Sequence, residues 1–482
     1  MTRFAHTALV FYSSAAVLVI ELTALRLLAP YLGLSLETNT LVIGLALSAI
    51  AIGSWGGGRL ADRFPTQRLL APALAISGVT AAATPAVMRA AASGDGSTLL
   101  LAAMLMIGVP GALLSAVTPI VTKVRLTSLQ DTGSVVGSLS GISTVGAIVG
   151  TVVTGFVLIS RVSVSNILIG LGVSLVAIAV VVLVIDGRAR TVPTLVVALV
   201  AAGGLTVAAR GTCEIETTYH CAVVSSDPGN ASLLTLELDG LRHSAVDLDD
   251  PTHLEFSYTQ ALGAVADLVL EDTRGTAPSV LHLGAGGMTL PRYLQEVHPQ
   301  VASLVVEIDR GVAELNGTAL GPSPDVELVV DDARLVLDDV EAGSQELVVG
   351  DAFGGISPPW HLTTVEAVRA IHRTLVPGGT YVANVIDRGP LAFATAETAT
   401  VASVFAEVVV LADPPTIAGE DGGNLLILAS DTPLDLAALA SGLDGVGWEV
   451  LAGEALRDWY RGAPILTDEF APVDQLITSR RG

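Results

Sequence analysis

Two regimes of hydrophobic patterning divide the chain. Up to about residue 210, apolar residues run in long blocks at 7–29, 40–58, 69–88, 99–121, 134–160, 164–185 and 191–209. Each block approaches the ~20 residues that a helix rising ~1.5 Å per residue needs to cross a ~30 Å hydrocarbon layer. The pattern predicts an all-α bundle of about seven transmembrane helices. The first block is too long for a secretory leader and lacks a small-residue cleavage site, so it reads as a span. Glycines at 133, 137, 141, 146 and 150 of the fifth block predict close helix packing.

Beyond residue 210 the apolar runs shorten and turn residues separate them. ETTYHCAVVSS, SLLTLELDG and LRHSAVDL alternate around DPGNA, the pattern of a small antiparallel β unit. Thr252 to Leu270 reads as a helix. Val280–Leu283, Ala302–Val306, Val326–Val330 and Glu346–Val349 read as strands alternating with helical segments, which predicts a parallel α/β sheet. Thr363 or Thr364 is placed to cap a helix with Glu366 in its first turn. TYVANVI, VFAEVVVLA and NLLILAS supply later strands. The expected domains are 1–210 (transmembrane), 211–250 (β unit) and 251–482 (α/β).

Charge sharpens this division. Residues 1–210 hold 12 Lys+Arg against 6 Asp+Glu, and the remainder 12 against 41. The whole-chain mean hydropathy of +0.65 is too high for a purely soluble protein, and the first part accounts for it. The acidic second part lacks the basic footprint that nucleic acid requires. Basic residues of the short loops collect on one side: Arg3, then Arg59, Arg63 and Arg68, then Lys123 and Arg125, then Arg188 and Arg190. The other side has Arg89 and Arg161, so the N-terminus is expected in the cytoplasm of a multi-pass cell-membrane protein. Seven crossings would put the C-terminal domain outside. If the last block, short and carrying Gly203-Gly204, does not cross, that domain is cytoplasmic. The only cysteines, Cys213 and Cys221, would be inert thiols in the cytosol and could form a disulfide outside it. Two cysteines without CxxC spacing provide no structural zinc site, and no metal is expected.

Candidate chemistry concentrates in Ser279 to Asp309, which reads as strand, glycine turn, helix and parallel strand. Gly284 and Gly286 would let a ligand approach the backbone, and the helix N-terminus offers free N–H groups. Glu307, about 20 residues on, is placed to accept both ribose hydroxyls. Thr289 stands where a dinucleotide fingerprint would have its third glycine. Two further strands end on acids. Asp332 could accept an adenine amino group, and Asp351 would face the reacting centre, because ligands of open α/β sheets bind at the carboxyl ends of the strands.

Taken together, these motifs identify a family. From about Glu214 to Ser430 the chain resembles the spermidine synthase (polyamine aminopropyltransferase) family, and as a whole its membrane-fused bacterial relatives. The resemblance is carried by Leu238-Asp239-Gly240, EFSY with Tyr258, the glycine turn, VVEID, Asp331-Asp332-Ala333, GDAF, PPWHLTT and LVPGG. It implies a class I methyltransferase-like fold and a donor, decarboxylated S-adenosylmethionine, held by Gly284, Gly286, Glu307, Asp332 and Ala333. It also implies Asp351 as the base on the attacking amine, Tyr258 and His243 as substrate contacts, and a small-molecule amine acceptor. It leaves room for a homodimer. The short loop Gly58 to Arg63 faintly resembles one of major-facilitator transporters.

The departures lie on the acceptor side. Gly354 stands where the family has a second aspartate, Gly287 where its glycine turn carries an acid, and His243 where it has a glutamine. No tyrosine follows Tyr381 until Tyr460. An acceptor other than putrescine is therefore expected. The alternatives are methyl transfer from S-adenosylmethionine on the same scaffold, or a catalytically silent binding or regulatory module attached to a transport-like or envelope membrane half.

Overall fold

The computed structural model describes residues 2–32, 36–92, 96–126, 128, 131–159, 161–187, 189–208, 215–271, 277–355 and 357–478. It divides into two units, Met1–Tyr219 and His220–Gly482.

The first unit is a helical bundle: α1 (Arg3–Leu32), α2 (Leu36–Arg63), α3 (Leu70–Ala92), α4 (Gly96–Ser115), α5 (Val117–Arg125), α6 (Thr132–Val153), α7 (Val164–Ile185) and α8 (Val192–Ala208). The fourth predicted block is two helices, with Ala116 between α4 and α5. Among the described residues six helical stretches are long and apolar enough to cross a membrane, while α8, the seventh predicted span, is a shorter apolar helix.

Small residues set the helix spacing. A Cβ on Gly146 or Gly150 of α6 would lie 2.2 Å from the Phe11 carbonyl oxygen or 2.5 Å from that of Ala15 in α1. Gly133, Gly137 and Gly141 face open space instead, so only the second half of the predicted glycine stripe packs. Gly78 of α3 and Gly172 of α7 meet in the same way. After α8 comes β1 (Ile215–Glu216). The Glu216 carboxylate accepts from the Val164 N–H at 2.8 Å and the Ser165 hydroxyl at 3.2 Å. It also lies 3.7 Å from Arg89, whereas Arg26 of α1 donates to the Thr217 carbonyl at 2.6 Å.

The second unit opens with an antiparallel meander, β2 (Cys221–Ser226), β3 (Leu233–Leu238) and β4 (Leu241–Asp247). Next is α9 (Ser257–Glu271), which begins five residues later than the pattern suggested, past Pro251 and the EF of EFSY. The main sheet follows: β5 (Ser279–Leu283), β6 (Ala302–Val306), β7 (Glu327–Val329), β8 (Gln345–Gly350), β9 (Leu375–Asp387), β10 (Glu407–Ala412), β11 (Gly423–Ser430) and β12 (Glu449–Leu451). Their order is β12-β10-β11-β9-β8-β5-β6-β7, parallel from β9 to β7 and antiparallel beyond.

Strands covered on both faces are apolar throughout. Leu347 and Val349 of β8 pack with Leu262 and Val265 of α9 and with Leu290 and Leu294 of α10 (Thr289–Val297). Val348 packs on the opposite side with Leu337 of α12 (Ala333–Asp339), Ile371 of α13 (Val365–Thr374) and Phe393 of α14 (Ala392–Ala402). Between α10 and α12 in chain order comes the short α11 (Arg310–Leu315). Thr364 is the cap of α13, accepting from the Ala367 N–H. This is the doubly wound α/β architecture that the alternation of strands and helices predicts.

Candidate functional site

The parallel strands β8, β5, β6 and β7 are neighbours in that order, so their carboxyl ends form one edge. Along it stand Asp351, the glycine turn, Glu307 and Asp332. These residues, with Gly284, Gly286, Ala333, Tyr258 and His243, line a single cavity of about 390 Å³. The candidate site residues of the second unit thus come together. Cys221 does not line it and opens β2, and Cys213 lies outside the described residues. No cysteine is free among the described ones.

The glycine turn is shaped by close approach. Gly284 has φ +106°, and a Cβ there would sit 2.3 Å from the Asp351 carbonyl oxygen. The turn is pinned by hydrogen bonds from the Gly284 N–H to the Val306 carbonyl (2.8 Å) and from the Asp351 N–H to the Leu283 carbonyl (2.9 Å). Glu307 stabilises the turn from the neighbouring strand. Its Oε2 accepts from the Ala285 N–H at 3.0 Å and its Oε1 from the Asp309 N–H at 2.8 Å. Burial raises its pKa, and these two N–H groups oppose the shift by favouring the charged form. Each oxygen keeps a lone pair for a hydroxyl of a ligand.

Asp332 caps α12, its Oδ1 accepting from the Arg334 N–H at 2.9 Å. His361, from the PPWHLTT segment, lies 3.2 Å from the same oxygen. Asp351 Oδ1 accepts from the Asn384 amide at 2.7 Å, and Asn384 Oδ1 accepts in turn from the Asn424 amide at 2.9 Å. Burial raises the Asp351 pKa, which the Asn384 hydrogen bond partly offsets. The Tyr258 hydroxyl donates to the His243 carbonyl at 3.1 Å. Its pKa is pushed well above the ordinary value by burial and then by the Asp351 charge.

The β meander closes the other side. Ser244 of β4 accepts from the Gly287 N–H at 2.9 Å, and Thr289 donates to the Ala245 carbonyl at 3.0 Å. Thr289, anomalous as a dinucleotide glycine, therefore ties the meander to the start of α10. His220 Nδ1 lies 2.8 Å from Asp239 Oδ2, and the Cys221 N–H donates to Asp239 Oδ1 at 2.9 Å. His243 is held neutral, its pKa lowered to about 4 by burial and then by neighbouring His220, with Asp239 opposing.

Sequence reasoning missed Asn384, Asn424, His220 and His361. The first two carried a signal, a lone amide inside TYVANVI and another at the start of NLLILAS, where an apolar strand has no use for one. Among the described residues no cluster of His, Cys, Asp and Glu suits a metal ion.

No family profile matches the chain. Over 213 residues it is 30% identical to the polyamine aminopropyltransferase of Vibrio vulnificus (strain CMCP6), covering 41% of this chain and 69% of that protein. Over 287 residues it is 27% identical to the probable polyamine aminopropyl transferase of Bifidobacterium longum (strain NCC 2705), covering 55% of this chain and 61% of that one. Among solved structures it is similar to a probable spermidine synthase from Corynebacterium glutamicum ATCC 13032. The identity there is 30% and the TM-score 0.50, over 56% of this chain and 98% of that one.

Proposed function

The chain belongs to the polyamine aminopropyltransferase (spermidine synthase) family, and on that premise we propose that its second unit transfers an aminopropyl group from decarboxylated S-adenosylmethionine to a small amine, anchored to a membrane by its helical unit. One observation carries the reading. Asp351, the glycine turn, Glu307 and Asp332 stand in that order along one cavity edge. That is the order of the reacting carbon, sulfonium, ribose and adenine along such a donor. In the proposed step the amine nitrogen donates its lone pair to the aminopropyl carbon bonded to sulfur. The C–S bond breaks, its electron pair goes to sulfur, and neutral 5′-methylthioadenosine leaves. Asp351 accepts the proton lost by nitrogen, held towards it by Asn384. Holding amine and donor in line supplies much of the rate.

Calorimetry with 5′-methylthioadenosine tests the donor half. Saturable binding is expected, and Glu307→Ala should weaken it at least tenfold, since a hydrogen bond to a charged acceptor is worth roughly 1.5–3 kcal/mol. Asp351→Asn should leave that binding nearly intact and abolish turnover with decarboxylated donor. Absence of binding to the wild type would end the reading. Methyl transfer is the competing reading, favoured by the lack of an acid at Gly287 that would repel a donor carboxylate. Methylated product from S-adenosylmethionine, with none from the decarboxylated donor, would establish it instead.

A further inference from the structure

We propose that the acceptor of this site is a monoamine with a neutral tail and not a diamine, an inference that rests on the aminopropyl-transfer reading above. The argument is a count of charges. Among the described residues the carboxylates lining the cavity are Glu307, Asp332 and Asp351. Glu307 and Asp332 follow β6 and β7, on the far side of the glycine turn from Asp351. One carboxylate, Asp351, is left for the acceptor, and it is needed by the attacking nitrogen.

Apart from those three carboxylates, Arg242 and the imidazoles, the cavity wall is uncharged and includes Leu238, Leu241, Tyr258, Phe353 and Asn384, the last donating to Asp351. Asp239, behind that wall, is committed to His220 and the Cys221 N–H. Arg242 also lines the cavity, but it lies 3.7 Å from Glu255 and stacks over Phe256 at 4.8 Å. A second ammonium reaching this wall would be desolvated without a counter-charge, which is costly, whereas a neutral tail gains from burial.

The two positions that could have carried another acid differ. A Cβ on Gly287 would lie 2.9 Å from the Ser244 Cβ and 3.2 Å from the Val246 Cγ2, so the meander fills that space. A Cβ on Gly354 would have the Ser357 carbonyl oxygen, at 3.8 Å, as its nearest neighbour, and its φ is not in the left-handed region. The acceptor site is thus closed to an acid at Gly287 and merely lacks one at Gly354.

The test uses the full chain in detergent, saturated with 5′-methylthioadenosine, titrated with n-butylamine and with 1,4-diaminobutane. n-Butylamine should bind at least tenfold more tightly. Gly354→Asp should raise affinity for the diamine about tenfold, leaving n-butylamine affinity and 5′-methylthioadenosine binding unchanged. Equal or tighter wild-type binding of the diamine overturns the proposal, as does failure of n-butylamine to bind the saturated protein. Failure of 5′-methylthioadenosine itself to bind is a separate result, which removes the donor reading and this proposal with it.

Discussion

On the proposed reading Asp351 works as its carboxylate, and burial and one neighbour set how readily it ionises. Burial raises its pKa and the Asn384 amide lowers it, so activity should rise with pH along a limb above the ordinary aspartate value of ~3.9. Asn384→Ala removes the group favouring the charged form, and the limb of the kcat/KM profile should move to higher pH. An unmoved limb would show that the amide serves packing alone. A second buried acid, Glu397 of α14, is 2% exposed, has no partner for its Oε2 among the described residues and is held protonated by burial. Because its folded pKa lies above its unfolded one, its contribution is present at low pH and lost as pH rises through the folded value. Glu397→Gln cannot ionise, so the variant's Tm relative to wild type should increase as pH rises above the unfolded glutamate value of ~4.3. A pH-independent difference would contradict this. Glu307, Asp332 and Asp351 were legible in sequence because each stands at or just beyond the end of an apolar run. Glu397 and Asn384 were not, since their importance comes from what packs around them.

At the scale of elements, the glycine turn is held from two sides, by β8 against Gly284 and by β4 against Gly287. Gly284→Ala would meet the Asp351 carbonyl at 2.3 Å with φ at +106°, and a strained residue of that kind costs about 1–3 kcal/mol. It should lower both Tm and 5′-methylthioadenosine affinity. Gly287→Asp should destabilise by a similar overpacking cost of about 1–3 kcal/mol, while Gly354→Asp should stay within about 0.5 kcal/mol of wild type. Thermal melts of the three variants check the ranking, and equal losses at 287 and 354 would refute it. The turn itself was readable from its glycines, and the parallel strands from their apolar runs. The packing of β4 over the turn was not, because Ser244 lies far from Gly287 in sequence and nothing local marks their contact. The antiparallel pairing of β10 and β11 was also hidden, since apolar runs carry no direction.

For the whole molecule, the undecided quantity was the number of crossings, which hangs on α8. At 17 residues and ~1.5 Å per residue it is about 25 Å long, at the lower limit for a span. Its contacts argue that it crosses. Near its end, Thr206 donates to the Ala82 carbonyl and accepts from Arg89 through its own carbonyl, and Arg89 also reaches Ser165 at the start of α7. Glu216 and Thr217 meet Arg89, Ser165 and Arg26 at that same end. At the other end of the bundle, Arg125 bonds to the Arg3 carbonyl and Thr7 hydroxyl, and Lys123 pairs with Asp62. The chain therefore leaves the bundle opposite its basic end. By the excess of basic residues in cytoplasmic loops, we propose that it leaves on the extracytoplasmic side. A C-terminal alkaline phosphatase fusion should then be active and a C-terminal green fluorescent fusion dark, with the reverse for fusions in the loop between α7 and α8. Cys213 and Cys221 should resist a membrane-impermeant maleimide on intact cells until reductant is added. Fluorescent C-terminal fusions and thiols labelled only after lysis would put the second unit in the cytosol. In that case α8 does not cross, and the donor, a product of cytosolic metabolism, is directly at hand. If the unit is outside, the aminopropyl reading also requires a supply of donor on that side, which makes sidedness the measurement that most constrains the function.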